Sequence, residues 1–196
     1  MSEADSELSA TAWAVLGVLS FPGEDRSGYD VKVWADRSLQ YFYWSPALSQ
    51  IYRELKKLES VGYVESYTAP QDVLRNKRLY RLTDIGRTAV AEWAASSPIA
   101  PPVLKHGVIL RVWLGHLLGT DKLRIVLNEH AEYADRMHAE AAAFEASAHR
   151  QKIWPYSELA LRWSTRYFES EAELARRLLK DLDEMDARGV GTVDPA

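Results

Sequence analysis

Apolar residues recur every three or four positions between Leu48 and Val61, the clearest periodic signal in the chain. Leu48, Ile51, Tyr52, Leu55, Leu58 and Val61 fall on one stripe, which predicts a helix with that face buried. Ser49, Gln50, Arg53, Lys56, Lys57 and Ser60 take the outer face, with Glu54 and Glu59 interspersed. Ser45-Pro46 reads as the start, a serine cap followed by a proline whose missing N–H costs nothing in a first turn. Gly62 reads as the end. Upstream, "TAWAVLGVLS" is apolar nearly all round and predicts a buried helix capped by Ser9 or Thr11. "FPGEDRSG" breaks it, and Ser27 caps a second helix, "GYDVKVWADRSL", with Tyr29, Val33 and Trp34 facing inward.

After Gly62 the period changes. "GYVESYTA" and "RLYRLTD" carry β-branched and aromatic residues around a polar segment, which predicts a hairpin with a long basic loop. Thr83 or Asp84 caps a fourth helix, "IGRTAVAEWAAS". "SSPIAPPV", with three prolines, is the strongest punctuation in the chain. It divides the sequence into residues 1–97, a linker at 98–104, and residues 105–196. Everything beyond it reads as helical. "LKHGVILRVWLGHLL" is a short apolar helix. A helix of about eight turns follows, with Leu123, Leu127, His130, Ala134, Met137, Ala141, Phe144 and Ala148 in a heptad seam. A last helix, from Pro155 to Ala187, places Leu159, Trp163, Tyr167, Leu174, Leu178, Leu182 and Met185 on one stripe.

Three helices, a hairpin and a helix are the order of a winged helix-turn-helix. The expected fold is therefore mostly α with a small β-hairpin wing, followed by an all-α dimerisation domain. In such a domain the third helix enters the DNA major groove by its N-terminal end. Ser45, Ser49 and Gln50 lie at that end, and glutamine can pair with both polar atoms of an adenine edge. Arg53 and Lys56 lie further along, where phosphates pass. Arg75, Lys77 and Arg78 carry the hairpin loop. Net charge over all 196 residues is −4 and advertises no nucleic acid. From Ser45 to Arg87, however, eight basic residues outnumber five acidic ones. Phosphate neutralisation depends on that local face.

"GYDV", "SQIYRELKKLESVGYVE" and "KRLYRLTDIGR" resemble the corresponding pieces of PadR-family transcriptional regulators. The shared pattern is Gly28-Tyr29 opening the second helix, Ile51-Tyr52-x-x-Leu55-x-x-Leu58-Glu59-x-x-Gly62, and Arg78-x-Tyr80-x-Leu82-Thr83-x-x-Gly86. Ser49-Gln50 departs from the small residues common before Ile-Tyr, which bears on base preference. The resemblance covers roughly the first half of the chain. It implies DNA binding by a set comprising Tyr29, Ser45, Ser49, Gln50, Tyr52, Arg53, Lys56, Arg75, Lys77 and Arg78. It also implies a repressor that a small aromatic or apolar effector releases.

The expected partners are a double-stranded operator with an inverted repeat, a second copy of the chain, and such an effector. Seven Trp and ten Tyr suit an aromatic-lined pocket or a core. Trp113, Trp163 and Tyr167 are the candidate lining, and His116 a polar anchor. No phosphate loop, nucleophile elbow or paired-histidine motif is present, so neither an enzyme nor a cofactor is expected. There is no cysteine, and no apolar run long enough to span a membrane, so a cytoplasmic protein is expected. Two other readings are a winged-helix adaptor that binds proteins and a small-molecule enzyme.

Overall fold

The computed structural model describes residues 8–70, 77–99, 101–151 and 155–189. The chain falls into two compact units, Met1–Ala100 and Pro101–Ala196. The first holds α1 (Ala10–Ser20), α2 (Gly28–Arg37), a single 3₁₀ turn (Leu39–Tyr41), α3 (Leu48–Ser60), β1 (Val64–Ala69), β2 (Lys77–Leu82) and α4 (Asp84–Ser96). The second holds α5 (Gly107–Trp113), α6 (Gly115–Leu118), α7 (Thr120–Gln151) and α8 (Pro155–Ala187). The fold is thus mostly helical with one hairpin, as the sequence predicts. No helix among the described residues is long and apolar enough to cross a membrane.

In the first unit the core gathers Val15, Leu16, Val31, Ile51, Leu55, Leu58 and Val64, all essentially without solvent exposure. Trp13 and Trp93 stack face to face at 5.1 Å and join α1 to α4. The helix starts are chemically explicit. Ser9 caps α1 by accepting the Ala12 N–H at 3.0 Å. Ser27 and Asp30 close a reciprocal capping box on α2. Thr83 caps α4 through Gly86 N. The inward face of α2 carries Val31 and Ala35 rather than Tyr29 and Val33. Helical spacing puts Gly28, Val31 and Ala35 on one side, which leaves Tyr29 61% exposed.

Helix α3 ends in a Schellman turn. Gly62 takes φ of 77°, Gly62 N donates to Glu59 O at 3.1 Å, and Tyr63 N donates to Leu58 O at 2.9 Å. From there β1 and β2 pair antiparallel, Val64 opposite Leu82 through Ala69 opposite Lys77. Arg26 adds a one-residue bridge to Tyr80 on the other side of β2. A Cβ on Gly86 would lie 2.0 Å from Tyr63 O. Glycine is therefore what lets α4 close onto the end of α3.

In the second unit α7 and α8 form a long antiparallel pair within one chain, each about 50 Å long at the usual helical rise. The α7 seam packs as spaced, with Leu123, Leu127, Ala134 and Ala141 buried; the side chain of Ala148 lies outside the described residues. Two expectations are corrected. The apolar segment before α7 is two helices, because the chain turns at Leu114 and Gly115. A Cβ on Gly115 would meet Leu123 Cδ1 at 2.8 Å, which explains glycine at the break. On α8 the buried line is Leu161, Ser164, Phe168, Ala172, Ala175 and Leu182. Leu159, Trp163, Leu174 and Met185 of the expected stripe are exposed. Ser164, Ala172 and Ala175 on that line let the two helices approach closely between the larger Leu161, Phe168 and Leu182.

Two substitutions test the glycine argument. Gly86→Ala should destabilise the chain by about 1–3 kcal/mol or more, since backbone rather than a movable side chain opposes the new carbon. Gly17→Ala, mid-helix with no atom within 4 Å of the added carbon, should stabilise by about 0.5–1 kcal/mol. Urea unfolding followed by circular dichroism reads both.

Candidate nucleic-acid interface

Helix α3 buries Ile51, Leu55 and Leu58 and so points Ser49, Arg53 and Lys56 into solvent. Its start lies two residues later than Ser45-Pro46 suggests. Pro46 is fully buried, Ala47 occupies the cap position in extended conformation, and the helix begins at Leu48. With no cap oxygen on alanine, Gln50 reaches back: its Oε1 accepts the Ala47 N–H at 2.9 Å. The Gln50 amide NH2 remains as a donor near the helix end. Ser45 does not cap α3. Its hydroxyl donates to Asp36 and accepts from Lys32 Nζ at 3.0 Å, which ties the turn to α2. Lys32 and Ser45 together hold the Asp36 carboxyl below the usual carboxylate range.

Three residues of the expected α3 stripe are not core. Leu48 and Val61 sit at the helix ends, and Tyr52 is 44% exposed at the edge of the stripe. The Tyr52 ring lies over Gly28; a Cβ there would come 2.5 Å from Tyr52 Cε1. Tyr52 therefore spans from α3 to the start of α2 while remaining well exposed. Glu54, expected on the outer face, is buried instead, one position before Leu55, with Arg53 Nη2 at 3.5 Å.

The hairpin cations are held by acids. Lys77 Nζ lies 2.8 Å from Asp30 Oδ2. Arg78 bonds Glu59 Oε2 at 2.7 Å and Ser66 Oγ at 2.8 Å, and its guanidinium lies over the Tyr80 ring at 5.5 Å. Burial works against the ionised form of Asp30, but hydrogen bonds from Lys77 and from the Ser27 N–H and hydroxyl outweigh it and lower its pKa. At Glu59 the Ser66 hydroxyl is the main cause of a lowered pKa, with Arg78 assisting against burial. Lys56 makes no ion pair among the described residues. Arg75 lies outside the described residues. Ser49, Gln50, Tyr52, Arg53 and Lys56 thus share α3, and Tyr29 and Lys77 meet it through the start of α2. Sequence reasoning missed Asp30 as the joint between α2 and β2, although Ser27-x-x-Asp30 is a readable capping-box pattern.

The second unit contains a separate cavity of about 460 Å³, lined by Val108, His106, His130, Tyr167, Phe168 and Glu171 among others. Of the aromatic candidates only Tyr167 reaches it. Trp163 stacks on Tyr167 at 5.2 Å, whereas Trp113 and His116 do not line it. Burial, the adjacent Glu171 charge and a hydrogen bond to Glu171 push the Tyr167 hydroxyl up to about 12.

Residues 15–92 match the family model for the transcriptional regulator PadR-like family. The chain is 36% identical over 101 residues to the negative transcriptional regulator PadR of Bacillus subtilis, a match over 52% of this chain and 54% of that protein. It thus spans about half the length of that relative. The fold matches B. subtilis PadR solved in complex with operator DNA, at TM-score 0.79 and 21% identity, over 89% of this chain and 98% of that one. It also matches the complex of that protein with p-coumaric acid, at TM-score 0.65 and 22% identity, over 88% and 98% of the two chains.

The Asp30 joint gives a pH test. A carboxyl whose pKa is lowered by folding contributes stability above its unfolded pKa and loses it as pH falls through the folded value. Asp30→Asn should be less stable than the parent at pH 7, and the two stabilities should converge below the ordinary carboxylate range. Denaturant titrations between pH 7 and acid check this; parallel curves at every pH would remove the ionised carboxylate from the account.

Proposed function

We propose that this chain, which belongs to the PadR-like family of transcriptional regulators, represses transcription as a homodimer that binds an operator in double-stranded DNA. The family is one of regulators, not of enzymes. The observation that carries the reading is the outer face of α3, where Ser49, the Gln50 amide, Arg53 and Lys56 stand clear of a core that fixes the helix rigidly. Ser49 and Gln50 reach base edges, and Gln50 favours adenine. Arg53, Lys56, Tyr52 and the hairpin cations meet phosphates. Lys77 and Arg78 exchange Asp30 and Glu59 for phosphate at little cost, because exposed ion pairs contribute only about 0–1 kcal/mol. The relative's crystallised complex with operator DNA supports the same mode.

The second unit supplies the dimer. Trp163, Leu174, Leu159, Trp113 and Leu117 are all more than half exposed in one chain, and a second copy would cover them. Two half-sites then lie about one helical turn apart in an inverted repeat. The cavity beside Tyr167 takes a small aromatic effector, a reading supported by the relative's complex with p-coumaric acid. Effector binding that favours one arrangement of the recognition helices releases DNA by shifting that population.

Gln50→Glu separates the roles of that side chain. The new carboxylate still accepts the Ala47 N–H, so thermal stability should hold. The lost amide donor should lower operator preference over random DNA by about 1–3 kcal/mol in fluorescence anisotropy. Lys56→Ala should weaken operator and random DNA alike and reduce the salt slope by about one. An unchanged preference in the first variant would remove Gln50 from base reading. Leu174→Asp in the full chain should sediment as a monomer and bind the operator far more weakly; a dimer would place the interface elsewhere.

A further inference from the structure

We propose that His106, His130 and Glu171 form a binding site for one first-row divalent transition metal ion, Zn2+ foremost. The three come from separate elements: His106 from the segment entering α5, His130 from α7, and Glu171 from α8. Their ligand atoms, two imidazole Nε2 and a carboxylate oxygen, all lie within 4.8 Å of one another. Both Nε2 atoms converge on the same Glu171 Oε2, at 2.9 and 3.1 Å, and the two rings meet edge to face at 5.0 Å. A metal bonded at about 2.0–2.2 Å to N and O separates neighbouring ligands by roughly 3.3 Å, a spacing within a few tenths of an ångström of both N–O distances here. All three side chains are only 14–15% exposed, on the wall of the cavity, which leaves room for water or another ligand on the ion's open side.

The donor set decides the ion. Two imidazoles and one carboxylate match the three-ligand sites of Zn2+ and other first-row ions, whereas Mg2+ and Ca2+ prefer oxygen alone. Tyr167 donates a hydrogen bond to Glu171 and so orients the carboxylate from outside, as outer partners of metal ligands do. Without an ion, each Nε2 carries a proton toward Glu171. On binding, each turns its lone pair to the ion and its proton sits on Nδ1. At His106 that displaces the Ile109 N–H, which reaches Nδ1 at a long 3.3 Å. Loading therefore trades the weak cap of α5 for three metal bonds that staple the entry to α5, α7 and α8 together. The proposal does not rest on DNA or effector binding, although the ion would stand on the wall of the cavity assigned to the effector.

The test uses the untagged full chain, stripped with chelator. Zn2+ is followed by calorimetry and Co2+ by visible absorption. One ion per chain is expected, with a Co2+ spectrum of low coordination number and a Tm that rises with Zn2+. His130→Ala and Glu171→Gln should each weaken binding 100-fold or more, while His116→Ala changes it less than twofold. Glu171→Gln keeps the side-chain shape, so its folded state, checked by circular dichroism, makes its loss of affinity attributable to the ligand. The Ile109 amide should also lose hydrogen-exchange protection on loading. Absence of saturable one-to-one binding, or unchanged affinity in folded Glu171→Gln, would overturn the site; equal loss in His116→Ala would move it elsewhere.

Discussion

The first unit depends on one close approach, the backbone of Tyr63 against Gly86. Tyr63 completes the Schellman turn of α3 and accepts the Thr83 N–H at 3.1 Å, while Thr83 donates its hydroxyl to Gly62 O at 2.7 Å. The same hydroxyl caps α4. Three elements therefore meet with no room for a single added carbon. That contact fixes where α3 ends, how β1 leaves it, and where β2 returns into α4. The outward face of α3 is a consequence of this closure together with the burial of Ile51, Leu55 and Leu58. A reading helix needs such rigidity, because a small misplacement of donors forfeits their pairing.

Charge on this unit is arranged economically. Asp30 serves α2 as capping acid and β2 as partner of Lys77, and Glu59 serves both Ser66 and Arg78. These pairs thereby add polar ties between the hairpin and the helices to the core contacts of Val64, Tyr80 and Leu82. Exposed pairs of this kind are weak and salt-screened, so they position cations without sequestering them. On the proposed function, exchanging such a carboxylate for a phosphate would cost little. The gain on neutralising a polyanion comes largely from released counterions.

Much of this was legible in the sequence, because the motifs that carry the resemblance are geometric necessities. Gly62 is the left-handed end of α3, Gly86 the close approach, Thr83 the cap, and Gly28 the floor beneath Tyr52. The order of helices and hairpin in the first unit, the Ser27 cap and the limits of α7 and α8 followed from spacing and punctuation, whereas the break at Leu114 and Gly115 did not. The start of α3 did not. Ser-Pro is an equally good signal two residues too early, and only the buried Pro46 and the Gln50 bond to Ala47 select the true start. The meeting of His106, His130 and Glu171 was invisible, since 24 and 41 residues separate them and no local period links them.

The misreading of α8 has its own physical lesson. Periodicity ranks stripes by the size of their apolar residues, and Leu159, Trp163, Tyr167 and Leu174 outrank Ser164, Ala172 and Ala175. Packing of α7 on α8 ranks them in reverse, because small residues let two backbones approach and bury more of each other's surface. Ser164 is fully buried there and returns its hydroxyl to Ala160 O at 2.9 Å, so it brings no unsatisfied polar group into the seam. Leu159, Trp163 and Leu174 are thereby left exposed on the flank of the same helix, while Tyr167 turns to the cavity. Exposed apolar stripes of this kind mark interaction surfaces, which is the ground for the proposed dimer. The partnership within the chain thus takes the line from Leu161 to Leu182, and the exposed stripe of Leu159, Trp163 and Leu174 is the one the proposed dimer would cover.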